Sequence, residues 1–206
     1  MSWTDRHNNP GYKNWLRVGI ALLETRDGLA NVTLQAAKEL HAKLKTKLGR
    51  HGDSVENCTC NPKIDRGRCR DCGPWRQELE RNYYKGHASR ISWANCTPSK
   101  WSKEAWEVTK VFMTNGQKAD NTGPEKSDAS ALLNFLIFCK YCEKYISEVE
   151  PLKKVREVRN QTMHSNDLMF DDDTFDEHMN KLLNLLGDPK LASDPAVQKA
   201  ADEILK

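Results

Sequence analysis

No apolar stretch of signal-peptide type opens the chain, which begins MSWTDRHNNPGYKNW, and no long hydrophobic run follows: the longest, Ala131 to Cys139, is interrupted by Asn134. A bilayer-spanning helix takes roughly 20 apolar residues in succession. The expectation is a soluble, intracellular protein, cytoplasmic or nuclear, with no membrane partner. On that expectation the four N-x-[ST] triplets beginning at Asn31, Asn57, Asn95 and Asn160 are chance matches rather than glycosylation sites. Internal repeats and convincing strand patterns are also missing, which leaves an all-α class, a helical bundle. A large net charge is absent too. At +3 the sum says nothing about nucleic acid, and only the distribution of charge can.

What is present argues for a folded chain. Charged residues make up 30% and the mean hydropathy is −0.77, yet six Trp and recurring Leu, Ile, Val and Phe clusters exceed what a disordered chain carries. A length of 206 residues suits one domain, or one with an elaborated extension. Residues 38–90 carry 13 basic and 7 acidic side chains, whereas residues 165–206 carry 4 and 10. A polyanion such as RNA meets the basic middle first, unless those cations form only a solvated helix face and loop. The acidic C-terminal region offers a surface for protein partners.

Pro10-Gly11 sets a helix start. Tyr12, Trp15, Leu16, Gly19, Ile20, Leu22 and Leu23 then recur at helical spacing up to Asp27-Gly28, which reads as a stop. A second helix is predicted from about Val32 to Leu48, with Leu34, Ala37, Leu40 or His41, Leu44 and Leu48 inward and Gly49 ending it. Further helices are predicted over Trp75 to Tyr84 and Lys103 to Met113, with a polar linker across 114–126. Ser127 is placed to cap a long apolar helix through Tyr145. Pro151 suits the first turn of a helix whose Leu152, Val155, Val158 and Thr162 form one stripe. The acids Asp171 to Asp173 favour the start of a helix carrying Phe175, Met179, Leu182, Leu183 and Leu186 and ended by Gly187. A last helix follows Ser193-Asp194-Pro195. The implied organisation is an N-terminal helical region over 1–99 with a cysteine-rich loop at 51–74, a bundle over 100–190, and a C-terminal helix over 191–206.

Within that loop, Cys58-x-Cys60, eight residues, and Cys69-x-x-Cys72 give two thiol pairs in a stretch with no apolar core of its own. In a reducing compartment disulfides are disfavoured, and four thiolates can close a tetrahedral zinc site. Such a zinc is structural, because four Cys leave no open position for water. Reduced free thiols or redox bridges are the competing readings, and Cys96 is a fifth candidate that could replace Cys58 or Cys60. Arg66, Arg68 and Arg70 lie beside these ligands and either present a basic surface to RNA or only keep the loop soluble. Cys139 and Cys142, three apart on an apolar helix, read as core residues.

The segment Val155-Arg156-Glu157-Val158-Arg159-Asn160-Gln161-Thr162-Met163-His164-Ser165 carries a more specific signal. Arg159-Asn160, three residues and His164 resemble the Arg-polar-x-x-x-His motif of the HEPN superfamily, helical bundles that include metal-independent ribonucleases. The motif closes an amphipathic helix and is followed by a polar loop, another helix and Leu-Leu-Gly, an arrangement similar to the HEPN branch of an RNA-binding ubiquitin ligase and of animal innate-immunity proteins. The resemblance covers roughly residues 100–190 and implies a homodimer in which two copies of the motif face one another. Metal-free RNA cleavage needs a base for the ribose 2′-hydroxyl, an acid for the leaving oxygen and a cation for the phosphorane charge. An ordinary imidazole holds both protonation forms near neutral pH, so His164 can serve as base and acid, Arg159 suits the phosphate oxygens, and Asn160 could orient His164 from one turn away. On an ideal helix, however, Arg159 and His164 lie about 140° apart, so convergence on one phosphate requires a frayed end or a second chain. The plainer reading has Arg159 paired with an acid and His164 capping its own helix.

Across most of its length the chain also resembles a vertebrate family known only as a chromosome X open reading frame protein. The shared pieces are Tyr12-Lys13-Asn14-Trp15, Cys69-x-x-Cys72, Trp93-x-Asn95-Cys96, Ala105-Trp106-Glu107-Val108, Gly123-Pro124-Glu125 and Arg159-Asn160-x-x-Met163-His164-Ser165. Three functions are consistent with these readings: an endoribonuclease, a non-catalytic HEPN module for RNA binding or dimerisation in innate immunity, and a protein-interaction scaffold.

Overall fold

Asn9 and Pro10 start the dominant helix. The Asn9 side chain accepts a hydrogen bond from the Tyr12 N–H at 3.3 Å, and Pro10 occupies the first turn, where its missing N–H costs nothing. The structure, a computed structural model, describes residues 3–60, 69–84, 91–116 and 120–206. Among these residues the helices are α1 (Trp3–Asn8), α2 (Pro10–Leu48), α3 (Gly73–Arg81), α4 (Ala105–Thr109), α5 (Ala129–Phe138), α6 (Glu150–Met163), α7 (Asp172–Leu186) and α8 (Pro195–Ile204). The class is all-α. The only extended pairing among the described residues is an isolated bridge between Tyr83 and Cys139. No helix among them is long and apolar enough to cross a membrane.

The chain divides into two compact units, one of residues 1–31 and 146–206, the other of residues 32–145. In the first, α2 contributes Val18, Ala21, Leu22 and Leu29 to a core shared with the α6 stripe Leu152, Val155, Val158 and Thr162. Helix α7 is capped by Asp171, whose carboxylate accepts from the Thr174 N–H at 2.8 Å, and buries Phe175, His178, Leu182, Leu185 and Leu186. Asp188 follows it. Burial would raise this carboxyl, but the backbone N–H groups of Ser147, Lys190 and Leu191 and the Ser147 hydroxyl outweigh that and hold it below the usual range.

The second unit is built on the other half of α2, where Ala36, Ala37, Leu40 and Leu44 are buried. Tyr83 is stacked between Phe112 and Phe138, at centroid distances of 5.4 and 5.5 Å. Much of its framework is polar. Lys110 and Glu107 form a fully buried ion pair at 2.6 Å. Asn95 donates to the carbonyls of Lys110 at 3.1 Å and Thr114 at 2.8 Å, and the Trp106 indole donates to Asn121 at 3.1 Å.

Two predicted boundaries are corrected. Asp27-Gly28 does not stop the first helix, because α2 runs unbroken to Leu48 and Gly28 is a packing residue: a Cβ there would lie 2.8 Å from the Ala200 Cβ of α8. The apolar helix predicted through Tyr145 ends at Phe138. The backbone groups at its end are diverted, with the Tyr84 N–H donating to Phe138 O at 3.2 Å and the Lys140 N–H donating to Asn82 O at 2.8 Å. The cap of α5 is Asp128, accepting from the Ala131 N–H at 2.8 Å, while Ser127 is engaged with Asn121.

The two glycines of α2 should respond oppositely to alanine. Gly19 has open space around its missing Cβ, so Gly19→Ala should raise stability by about 0.5–1 kcal/mol through helix propensity. Gly28→Ala meets α8 and should lower it by roughly 1–3 kcal/mol. Urea unfolding midpoints of the two variants check both signs.

Candidate functional site

Cys58, Cys60, Cys69 and Cys72 come together, their sulfurs all within 4.8 Å of one another. Two anchored segments deliver them. Gly49, at a φ of +51° that favours glycine, ends α2, and a 3-10 segment, Gly49–Asn57, leads into Cys58. Cys69 and Cys72 precede α3, with the Gly73 N–H donating to Cys69 O at 2.9 Å and the Arg76 N–H to Cys72 O at 3.0 Å. The two segments are locked by buried Trp75, whose indole donates to Gly52 O at 2.9 Å.

Sulfur separations are 3.2 Å for Cys58 to Cys60, 3.6 Å for Cys58 to Cys69 and 3.3 Å for Cys60 to Cys72. A disulfide needs about 2.05 Å. Thiolates around a tetrahedral zinc with bonds of about 2.3 Å lie roughly 3.8 Å apart, so this cluster is compatible with such an ion after shifts of up to about an ångström. The protonation pattern is uneven. Backbone N–H groups of Cys72 and Asp71 pull the Cys69 thiol down to about 7, whereas burial pushes Cys60 up to about 12 and Cys72 higher still. Packing four thiols this closely with two of them resisting ionisation fits a site in which a cation supplies the compensating charge.

Cys96 stands outside the cluster, its buried thiol raised by desolvation. Cys139 and Cys142 are fully buried, in keeping with a core role. Arg70 is exposed beside the cluster. Arg66 and Arg68 lie outside the described residues.

In the other unit, Arg159, Asn160 and His164 occupy the last turn of α6. His164 is the C-cap, at φ −113° and ψ 11°, with its N–H donating to Asn160 O at 3.0 Å. Its imidazole and the Asn160 amide are exposed, and Arg159 is half-buried. The Asn160 side chain is turned to Arg159, whose Nη1 donates to Oδ1 at 3.5 Å. The helix ends at Met163, so the backbone of His164 is released from helical geometry.

Sequence reasoning missed what holds this helix end in place. Trp15 donates its indole N–H to Thr162 O at 2.7 Å. Asn14 donates to Asp172 at 2.8 Å and to Phe170 O at 3.3 Å, and Gly11 O accepts from the Phe170 N–H at 3.0 Å. The Tyr12-Lys13-Asn14-Trp15 piece therefore fastens the loop that follows His164. Beneath that loop lies His178, 3% exposed, edge-on to Phe170 at 4.9 Å, with neither ring nitrogen partnered among the described residues.

These features define an all-α protein with a four-cysteine cluster and an exposed Arg-Asn-x-x-x-His helix end. Residues 6–206 match the family described as Domain of unknown function (DUF4559), and the chain belongs to that family. It is 30% identical over 190 residues to the Uncharacterized protein CXorf38 homolog of Mus musculus, covering 90% of this chain and 58% of that protein. The chain thus spans little more than half of the relative's length. No solved structure matches it.

Two measurements test this geometry. Metal analysis of the purified protein should find about one zinc per chain, lost in Cys69→Ser and kept in Cys96→Ser; unchanged metal in Cys69→Ser would remove the site. For His178, burial, with Lys181 adding to it, holds the folded pKa below the ordinary value of 6.5. The unfolded chain then binds a proton the folded one refuses, so stability should be level above that pH and fall as pH drops below it. His178→Phe should flatten the fall in urea midpoints, leaving the share of His41, which burial also depresses.

Proposed function

We propose that this chain is a HEPN-like protein acting on RNA, stabilised by zinc on Cys58, Cys60, Cys69 and Cys72, with Arg159, Asn160 and His164 forming half of a composite site completed by a second copy. The observation that carries the reading is the α6 end: an imidazole at a helix cap, open to solvent, five residues on from a guanidinium that donates to Asn160. The resemblance to the HEPN motif supplies the chemistry. In that chemistry one His164 takes the 2′-hydroxyl proton, the 2′-oxygen attacks phosphorus, and the 5′-oxygen leaves with a proton from the opposite His164. Arg159 holds the phosphorane charge. The ends left are a 2′,3′-cyclic phosphate and a 5′-hydroxyl. Zinc takes no step, because four thiolates fill its coordination.

A second reading, a non-catalytic dimerisation or protein-interaction module, has its own support in charge. Residues 1–31 and 146–206 hold 12 basic and 16 acidic side chains, whereas residues 32–145 hold 20 and 13. The unit with Arg159 and His164 is thus net acidic and the cysteine unit net basic. A polyanion is drawn to the latter.

Cleavage of single-stranded RNA separates the two. In magnesium-free buffer with chelator added briefly, the first reading expects cyclic-phosphate products, with His164→Ala and Arg159→Ala each losing on the order of 10²- to 10⁴-fold in rate while helix content is unchanged. RNA left intact by the native protein rejects the nuclease reading, and a salt-sensitive gel shift would then keep RNA binding alone.

A further inference from the structure

We infer that the first half of α2 carries a self-association face, formed by Leu16, Ile20 and Leu23, on which a second copy of this chain docks antiparallel. These residues follow an i, i+4, i+7 spacing, and they are 41%, 51% and 52% exposed. Three branched aliphatic side chains in one line on a helix otherwise solvated by charged groups are an uncovered apolar stripe. By spacing alone they belong to the same apolar series as Trp15 and Leu22. The buried residues of this half of α2 are instead Asn14, Val18, Ala21, Leu22 and Thr25, so one helix has two apolar faces and only one is used internally.

Charge identifies the occupant. Lys13 lies seven residues before Ile20 and Asp27 seven after it, and on helical geometry both fall with the stripe inside an arc of about 80°. Both are exposed. Rotating a second α2 by 180° about an axis through Ile20 sets Ile20 on its own copy, places Leu16 near Leu23 and Glu24 of the partner, and brings each Lys13 opposite the other chain's Asp27. The face is self-complementary in shape and sign, as a two-fold interface must be. The stripe falls well short of the roughly 800 Å² per partner of a standard interface, so the association is weak and concentration-dependent.

This inference goes beyond the composite-site reading, because Trp15, which fixes Thr162 beside the α6 end, lies about 140° around α2 from Ile20. Its own footing is the stripe and its flanking charges.

Sedimentation equilibrium on the full chain, from micromolar to millimolar, tests it. The native chain should show a monomer–dimer equilibrium, abolished by Ile20→Lys with helix content unchanged. Lys13→Glu and Asp27→Lys should each weaken it by roughly tenfold, and the double variant should recover it. A native chain that stays monomeric, or a double variant no better than the singles, overturns the inference. RNA cleavage is scored separately on Ile20→Lys: cleavage by that monomer at the native rate would defeat the composite site while leaving the docking face standing.

Discussion

Helix α2 is 39 residues long, about 58 Å at 1.5 Å per residue, and each of the two units includes one stretch of it. Its first half supplies Val18, Ala21 and Leu22 to one core, its second half Ala36, Leu40 and Leu44 to the other. An isolated helix gains little from propensity alone, and most of its stability comes from packing its faces. The buried run Leu29, Val32, Thr33, Ala36 and Ala37 crosses the point where the two units divide, so the backbone has no reason to break there. Gly28 would weaken an exposed helix by about 1 kcal/mol. Here its bare Cα admits Ala200, and the contact offsets the propensity.

The pieces that carry the sequence resemblance sort into two kinds once placed. Asn95, Trp106 and Glu107 are buried and each hydrogen-bonded within the second unit; they hold backbone carbonyls and a buried cation, and none is open to a ligand. Asn14 and Trp15 do the same for the loop after α6. Arg159, Asn160 and His164 differ, because their polar groups reach solvent and their position is secured by others. That contrast makes the α6 end the candidate for chemistry, whereas the Trp93-x-Asn95-Cys96 and Ala105-Trp106-Glu107-Val108 pieces are explained by the fold itself.

Elements governed by local rules were legible in the sequence. The Leu152, Val155, Val158 and Thr162 stripe, the Asp171 cap, the Gly49 and Gly187 ends and the grouping of two cysteine pairs all follow from periodicity, capping and thiol chemistry. Where tertiary contacts decide, the reading fell short. Gly28 looks like a terminator until Ala200 is seen against it, and Cys139 continues a helical pattern until Tyr84 and Asn82 claim its neighbours' hydrogen bonds. The exposed Leu16, Ile20 and Leu23 were indistinguishable from core by spacing, since periodicity finds an apolar face but not its partner. At the candidate sites the residue types and their grouping could be read, but the fastening by Asn14 and Trp15 joins positions 147 and 158 residues apart, beyond any local rule.

The cysteine cluster is tied to its surroundings in a way that limits what metal loss can do. Its two segments, Gly49–Asn57 and α3, are already joined by the Trp75 to Gly52 hydrogen bond and by burial of Trp75, Leu79 and Val55. A soft cation therefore has less to organise than in a small domain with no core, where metal binding and folding are one event. What such an ion would add is local: it would neutralise thiols that burial otherwise keeps protonated and tie Cys58 and Cys60 to Cys69 and Cys72. Any proton-transfer chemistry still has to come from side chains such as His164, since a tetrahedron of four sulfurs has no place for water.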